Sequence, residues 1–202
     1  LGAIQEYERV RERYEFLTTQ RDDLIEAKAT LEETINEMDQ EMTVKFKETF
    51  DAVREHYIEI FKKLFGGGTA DLVLTDPHDL LNTGVEIIAQ PPGTKLKTSN
   101  LLSGGQKALT SISLLFAILR VRTVPFCVLD EVEAALDEAN VARYANYLKA
   151  FSKETQFIVI THRKGTMEKA DVLYGVTMQE RGVTKLVSVR MENVSDYMDD
   201  EK

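Results

Sequence analysis

Cysteine is almost absent from this 202-residue chain, in which Cys127 is the single thiol. One thiol excludes an intrachain disulfide framework and is typical of a reducing compartment. Long apolar runs are also absent, since none reaches the roughly 18 residues of a membrane span, and the N-terminus lacks the pattern of a signal peptide. These absences indicate a cytoplasmic protein with no membrane partner.

Basic charge is scarce as well, because 25 lysines and arginines stand against 34 aspartates and glutamates, for a formal net charge of −9. This balance argues against nucleic-acid binding through overall charge, although it leaves room for a local basic patch. With 43% hydrophobic residues, a chain of this length can form one ordinary core, with or without an extension.

The sequence also lacks a P-loop, the pattern G-x-x-x-x-G-K-[ST] that cradles nucleotide phosphates. The nearest stretch, Gly93–Lys95, has no earlier glycine at the required spacing, and its lysine is not followed by Ser or Thr. We predict an ordinary loop there. Any phosphate site must therefore use other residues.

Glycine and proline are missing from Ala3 to Phe65, where a heptad pattern occupies the first forty residues. Ten of its twelve a and d positions are apolar; the a positions are Tyr7, Tyr14, Arg21, Lys28, Ile35 and Met42, and the d positions are Ala3, Val10, Leu17, Leu24, Leu31 and Met38. The pattern predicts a coiled-coil helix over residues 1–45 that needs a partner helix. The alternative is an amphipathic helix packed on its own domain. A start without Met, already in a helical pattern, is expected for a piece of a longer protein.

The apolar stripe changes phase after Met42, which predicts that the helix enters a globular domain covering residues 46–190. Three glycines within Phe65–Leu72 should end the helix. The predicted elements are strands Asp71–Leu74 and Val85–Ala89, a loop at Gln90–Asn100, a buried helix Leu109–Leu119, a buried strand Phe126–Leu129, a helix Asp137–Phe151, a buried strand Gln156–Ile160, and a hairpin of Val172–Thr177 with Val183–Val189. Residues 191–202 are predicted to be an acidic, flexible tail.

The stretch SGGQ, residues 103–106, precedes the predicted buried helix. Ser103 and Gln106 have the spacing of a capping box. A capping box does not explain Gly104 and Gly105, whose missing side chains would let an anion approach the free N–H groups at the positive end of the helix. Phosphate is the natural occupant of such a place. A plain helix start is the alternative.

Two acidic residues, Asp130 and Glu131, follow the predicted strand Phe126–Leu129. Open α/β sheets bind ligands at the carboxyl ends of their strands, and Mg²⁺ prefers one or two carboxylates together with phosphate oxygens and water. Because neighbouring side chains alternate along a strand, one carboxylate is expected to face a metal and the other a water. The alternative is a pair of solvated acids.

A histidine, His162, follows the next predicted strand, Gln156–Ile160. With Val141–Phe151 as the crossover helix, the two strands form a right-handed βαβ unit that brings both strand ends to one edge. We therefore expect His162 to converge with Asp130 and Glu131. A structural histidine is the alternative.

The motifs LLSGGQ, FCVLDE and ALD, followed by a histidine after the next strand, resemble in order and spacing the C-terminal half of an ABC-type ATPase over residues 101–164. A coiled coil stands where a P-loop would be expected. Together with LSGGQKALTSISLLFAI and LDEVEAALDEANV, this resembles the bacterial structural-maintenance-of-chromosomes (SMC) proteins, whose P-loop half lies far away in sequence. The implied fold is α/β, the C-terminal lobe of an ABC-type ATPase head with a mixed or parallel sheet, carrying a long N-terminal coiled-coil helix.

The resemblance implies an ATPase with ATP and Mg²⁺ as cofactors. Residues 103–106 would contact the γ-phosphate of a nucleotide bound mainly by another head, and Asp137 would lie at the interface between heads. Asp130 would hold Mg²⁺, Glu131 would orient or deprotonate the attacking water, and His162 would sense or stabilise the γ-phosphate.

The implied partners are the P-loop half of the same protein, a second head in a homodimer, a kleisin subunit docked on the hairpin Val172–Val189, and DNA. The resemblance also implies nucleoid association, and turnover only when the head is complete. Two alternatives stay open: a split-head ATPase of double-strand-break repair or recombination, and a coiled-coil scaffold that does not hydrolyse ATP. The intact pair Asp130–Glu131 argues against the scaffold.

Overall fold

The computed structural model describes residues 2–95, 97–98 and 101–190. The chain divides into two units, one made of the first 49 residues with Asp76–Thr83, the other of Phe50–Thr75 and the chain from Gly84 onward. The predicted tail, residues 191–202, lies outside the described residues. Within the part described, no helix is both long and apolar enough to cross a bilayer.

Helix α1 begins at Gly2 and ends at Phe65 without a break. In the first unit its apolar seam is exposed, with Leu17 at 51% and Leu24 at 71%. Surface ion pairs between residues four apart, such as Lys45 with Glu41, support the polar side of this helix. The seam is therefore left without a covering partner among the described residues of this unit, and the coiled coil stays a prediction.

In the second unit the end of α1 is buried through Tyr57, Ile60, Phe61 and Leu64. Three glycines then follow, Gly66–Gly68, each with a positive φ. This backbone conformation is open to glycine and costly for other residues, so the helix cannot continue. The predicted stop is confirmed.

An antiparallel sheet with the strand order β1-β2-β3 follows the glycines. Its strands are β1 (Thr69–Leu74), β2 (Val85–Gln90) and β3 (Lys97–Thr98). The first two were predicted, slightly shorter. The third lies in a stretch predicted to be a loop, because two residues paired only with Ile88 and Ala89 leave no periodic signal in the sequence.

The centre of the second unit is a βαβ arrangement. Helix α2 (Gly104–Val121) precedes β4 (Phe126–Asp130), which leads through α3 (Glu138–Phe151) to β5 (Gln156–Ile160) and the short α4 (Lys164–Met167). Strands β4 and β5 pair in parallel, as predicted. Phe116 of α2 anchors the core in ring contacts with Tyr144, Tyr147, Phe151 and Phe157.

The prediction that β4 and β5 are buried strands is wrong for one of their faces. Phe126, Val128, Ile158 and Ile160 are 49–58% exposed, whereas Leu129 is buried. Continuous apolar runs are typical of parallel strands covered on both sides. Here α2 and α3 contribute one covering layer, and the described residues do not cover the second face.

The last described elements are β6 (Val172–Glu180) and β7 (Val183–Arg190), an antiparallel hairpin with an irregular register between Met178 and Glu180. The predicted hairpin is confirmed and is longer than expected. Most of its apolar side chains are exposed, including Tyr174, Val176 and Leu186. The fold is therefore mixed α/β with a long N-terminal helix.

Candidate functional site

The carboxyl ends of β4 and β5 lie side by side, because the strands are parallel and Asp130 pairs with Ile160. The Glu131 backbone N–H donates to the Ile160 carbonyl at 2.9 Å, which extends the pairing by one residue. The Nδ1 atom of His162 lies 3.2 Å from Oε1 of Glu131. The expected convergence is thus found for Glu131 and His162, and Asp130 ends its strand at the same edge.

Glu131 is the one non-glycine residue with positive φ (46°) among those the structure describes. This conformation costs on the order of 1–3 kcal/mol and persists where the surroundings enforce it, most often at functional sites. Hydrogen bonds at both its backbone groups hold it, one to Ile160 and one from the Ala134 N–H at 3.0 Å. The predicted alternation of Asp130 and Glu131 along a strand is wrong, because the chain leaves the extended conformation at Glu131.

The acid and the imidazole are open to solvent, with side-chain exposures of 54% for Glu131 and 63% for His162. They form an ion pair when His162 is protonated and a hydrogen bond in the neutral tautomer that carries the proton on Nδ1. A carboxylate held beside an imidazole in this way can accept a proton from a bound water while the imidazole contacts a substrate oxygen. The pair is therefore accessible to solvent, and its two groups are of the kind that a hydrolytic step uses.

The carboxylate of Asp130 fits a partial Mg²⁺ site. It is exposed at the strand edge, one residue before Glu131 in the chain. The described residues contain no cluster of three or more metal-ligating side chains. Mg²⁺ is commonly held by one or two carboxylates, with phosphate oxygens and water completing its shell. Asp130 could supply that share, and the remaining ligands would have to come from a nucleotide and water.

The capping box predicted at the start of α2 is confirmed. The Gln106 N–H donates to Ser103 Oγ at 3.4 Å, and the Ser103 N–H donates to Gln106 Oε1 at 3.1 Å. These bonds fix the first turn and leave other N–H groups of that turn without partners inside the helix. Among the described residues, neither side chain makes a hydrogen bond to Asp130, Glu131 or His162.

The two glycines of this turn differ in their surroundings. A Cβ added to Gly104 would meet nothing within 4 Å, so its face of the helix is open to a ligand. A Cβ added to Gly105 would lie 2.9 Å from the Ala135 carbonyl oxygen in the loop between β4 and α3. Gly105 therefore permits a close approach of two backbone segments, a reason that the sequence pattern did not reveal.

Asp137 is the N-cap of α3. Its Oδ1 accepts from the Asn140 N–H at 2.8 Å, and its Oδ2 accepts from the Asn140 side chain at 3.1 Å. A capping carboxylate also interacts favourably with the positive end of the helix. Asp137 therefore caps α3, and its place at an interface between heads stays a prediction.

Sequence reasoning missed Glu133. This residue lies in the loop that follows Glu131 and precedes α3, and it is fully buried. Its Oε1 accepts hydrogen bonds from Thr161 and Thr166. Burial first, and then the negative charge of Glu133, raise the pKa of Tyr144 in the adjacent helix. The available signal was one acidic residue inside the otherwise apolar run V-E-A-A-L, which solvated loop residues do not usually show.

The family described as RecF/RecN/SMC N terminal domain matches residues 10–185. The chromosome partition protein Smc of Bacillus subtilis (strain 168) is 66% identical over 198 residues, which cover 98% of this chain and 17% of that protein. The chain spans about a sixth of the length of the curated relatives it matches.

Solved structures agree with the family. An Smc head domain from Pyrococcus furiosus, with an extended coiled coil and bound to the C-terminal domain of ScpA, is 41% identical with a TM-score of 0.75, covering 98% of this chain and 50% of that one. A chain from work on ATP-driven dimerization and DNA-stimulated activation of SMC ATPases is 42% identical with a TM-score of 0.69, covering 78% of this chain and 96% of that one.

Proposed function

The chain belongs to the RecF/RecN/SMC family, and on that basis we propose that it is the C-terminal half of the ATPase head of a bacterial SMC protein that condenses and segregates chromosomes. The observation that carries the proposal is the contact of Glu131 with His162 at the carboxyl ends of two parallel strands. The similarity to a chromosome partition protein favours this function over the repair alternative.

Two observations support the assignment to one half of a head. The match to the Pyrococcus furiosus head covers about half of that chain, whereas a second solved chain is matched over almost its whole length. The exposed apolar face of β4 and β5 also needs a covering layer. We propose that the P-loop half of the same protein supplies this layer and the missing phosphate loop.

In the proposed mechanism the residues at the strand edge act on an ATP bound mainly by the P-loop half. Glu131 orients the attacking water and accepts its proton, and His162 senses or stabilises the γ-phosphate. Asp130 would hold Mg²⁺, which when bound neutralises phosphate charge. Catalysis of phosphoryl transfer is mostly positioning and charge stabilisation, and the strained backbone of Glu131 fits that requirement.

The first turn of α2 would serve a second nucleotide, held by the partner head of a homodimer. Ser103 and Gln106 fix the turn, and the open side of Gly104 lets its N–H groups approach the γ-phosphate. Asp137 would lie in the same interface. Two positive helix ends repel each other unless a phosphate lies between them, which makes head pairing dependent on ATP.

We propose a kleisin subunit of the ScpA kind as a further partner, and DNA as the substrate of the whole complex. The structure of a related head bound to the C-terminal domain of ScpA supports the first. The hairpin β6–β7 is the candidate docking surface, because its apolar side chains are exposed. The net charge of −9 argues against a DNA contact spread over the whole surface.

The test is Glu131→Gln in the full-length protein. Glutamine cannot accept a proton, so we expect turnover to fall by about 10²- to 10⁴-fold while ATP-dependent head pairing persists. Glu154→Gln, in the exposed loop after α3, is the matched control and should keep full turnover. Normal hydrolysis by the Glu131 variant would contradict the assignment of the catalytic acid.

A further inference from the structure

We propose that Glu133 and Thr161 are positioning residues that hold His162 against Glu131. The inference rests on the proposed function, because it assigns a role through His162. It concerns a buried network that links the loop after β4 to the segment after β5. Glu133 is fully buried, and Thr161 is half-buried.

The Thr161 hydroxyl links the residue before His162 to the residue after it. It donates to Oε1 of the fully buried Glu133 and accepts from the Arg163 N–H at 3.0 Å. The residues immediately before and after His162 are therefore tied to one hydroxyl, which is itself anchored to a buried carboxylate. This arrangement restricts the backbone torsions that set the direction of the imidazole.

A second set of contacts runs in the opposite direction. The Arg163 guanidinium donates to the carbonyl oxygens of Ala134 and Leu136 and pairs with Glu138 at 3.0 Å. Glu133, in the loop after β4, thus accepts hydrogen bonds from the segment after β5. Arg163, in the segment after β5, donates hydrogen bonds to carbonyl groups of the loop after β4. The two segments that carry Glu131 and His162 are clamped by both links.

The free-energy cost of burying Glu133 indicates that this network has a geometric role. Glu133 has no exposed surface, and its Oε2 has no hydrogen-bond partner among the described residues. A buried carboxylate with an unsatisfied oxygen is expensive, and apolar replacement of buried ionic groups is often neutral or stabilising. Stability alone therefore does not account for Glu133, whereas orientation of an adjacent functional group does.

The test is a double-mutant cycle on ATP turnover by the full-length protein. Thr161→Val removes the bridging hydroxyl with little change of shape, and we expect kcat to fall about 10-fold with KM for ATP changed less than about twofold. Thr161→Ser restores the hydroxyl and should return kcat to within about twofold of the parent. In a His162→Ala background, Thr161→Val should cause no further loss.

Thr166→Val is the matched control. Thr166 also donates to Oε1 of Glu133, at 3.0 Å, but it is not next to His162 in the chain. This variant should lower kcat by less than about threefold. Equal losses for the two valine variants, or an equal loss from Thr161→Val in both backgrounds, would overturn the inference alone. A His162→Ala variant with the parent kcat would instead overturn the proposed role of His162, and the inference with it.

Discussion

Alanine at Gly105 should weaken the packing of α2 against the loop between β4 and α3, whereas alanine at Gly104 should not. The Cβ added at Gly105 would lie 2.9 Å from the Ala135 carbonyl oxygen, against about 3.4 Å for an ordinary contact, and a backbone atom cannot move aside cheaply. The Cβ at Gly104 would meet nothing within 4 Å. Neither glycine has a positive φ, so alanine is compatible with both backbone conformations.

The magnitudes follow from two opposing effects. Alanine is favoured over glycine in a helix by up to about 1 kcal/mol, through a smaller loss of chain entropy. Overpacking costs about 1–3 kcal/mol. Gly104→Ala should therefore raise the free energy of unfolding by about 0.5–1 kcal/mol, and Gly105→Ala should lower it by about 0–2 kcal/mol.

The assay is urea unfolding of this chain together with the proposed P-loop half, followed by ATP-dependent head pairing. Gly104→Ala should unfold at higher urea yet pair poorly, because its methyl group points into the space proposed for the phosphate. Gly105→Ala should unfold at lower urea. If Gly105→Ala proved as stable as Gly104→Ala, the close approach to Ala135 would not be the reason for this glycine.

Two further predictions concern a helix cap and an ion pair. Asp137→Ala should lower the free energy of unfolding by about 0.5–2 kcal/mol. Asp137→Ser keeps a capping oxygen, so it should unfold at nearly the same urea concentration as the parent yet lose head pairing. Intact pairing in the serine variant would limit the role of Asp137 to capping. Asp71 accepts from Arg54 at 2.5 and 2.7 Å, and this hydrogen-bonded contact lowers the pKa of Asp71 below its ordinary 3.8. The stabilisation by this ion pair is present above pH 3.8 and is lost as the pH falls through the lower pKa of the folded state. The free energy of unfolding of Asp71→Asn should therefore be about 0.2–1 kcal/mol below that of the parent at pH 7, and the difference should vanish in acid. A difference that persisted unchanged at pH 2 would contradict this ion-pair account.

Features that depend on local spacing could be predicted from the sequence. The capping box of Ser103 and Gln106 needs only two residues three apart, and the glycines after Phe65 end α1 by their backbone freedom. The parallel pairing of β4 with β5 follows from two apolar runs separated by a helix, and it brought Glu131 and His162 together as expected.

Features that depend on non-local contacts could not be predicted. The positive φ of Glu131 depends in part on a hydrogen bond to Ile160 in another strand, and the reason for Gly105 is a carbonyl thirty residues away. The burial of Glu133 depends on threonines beyond β5. The exposed face of β4 and β5 escaped prediction because an apolar run does not say which chain covers it.

The central claim is that this chain is one half of an ATPase head, and reconstitution tests it most directly. ATP hydrolysis would be measured for the chain alone, for its P-loop half alone, and for the two mixed at equal concentration. We expect no turnover from either half and turnover from the mixture, lost again with Glu131→Gln. Robust hydrolysis by this chain alone, abolished by Glu131→Gln, would contradict the claim, because the site would then need no second half.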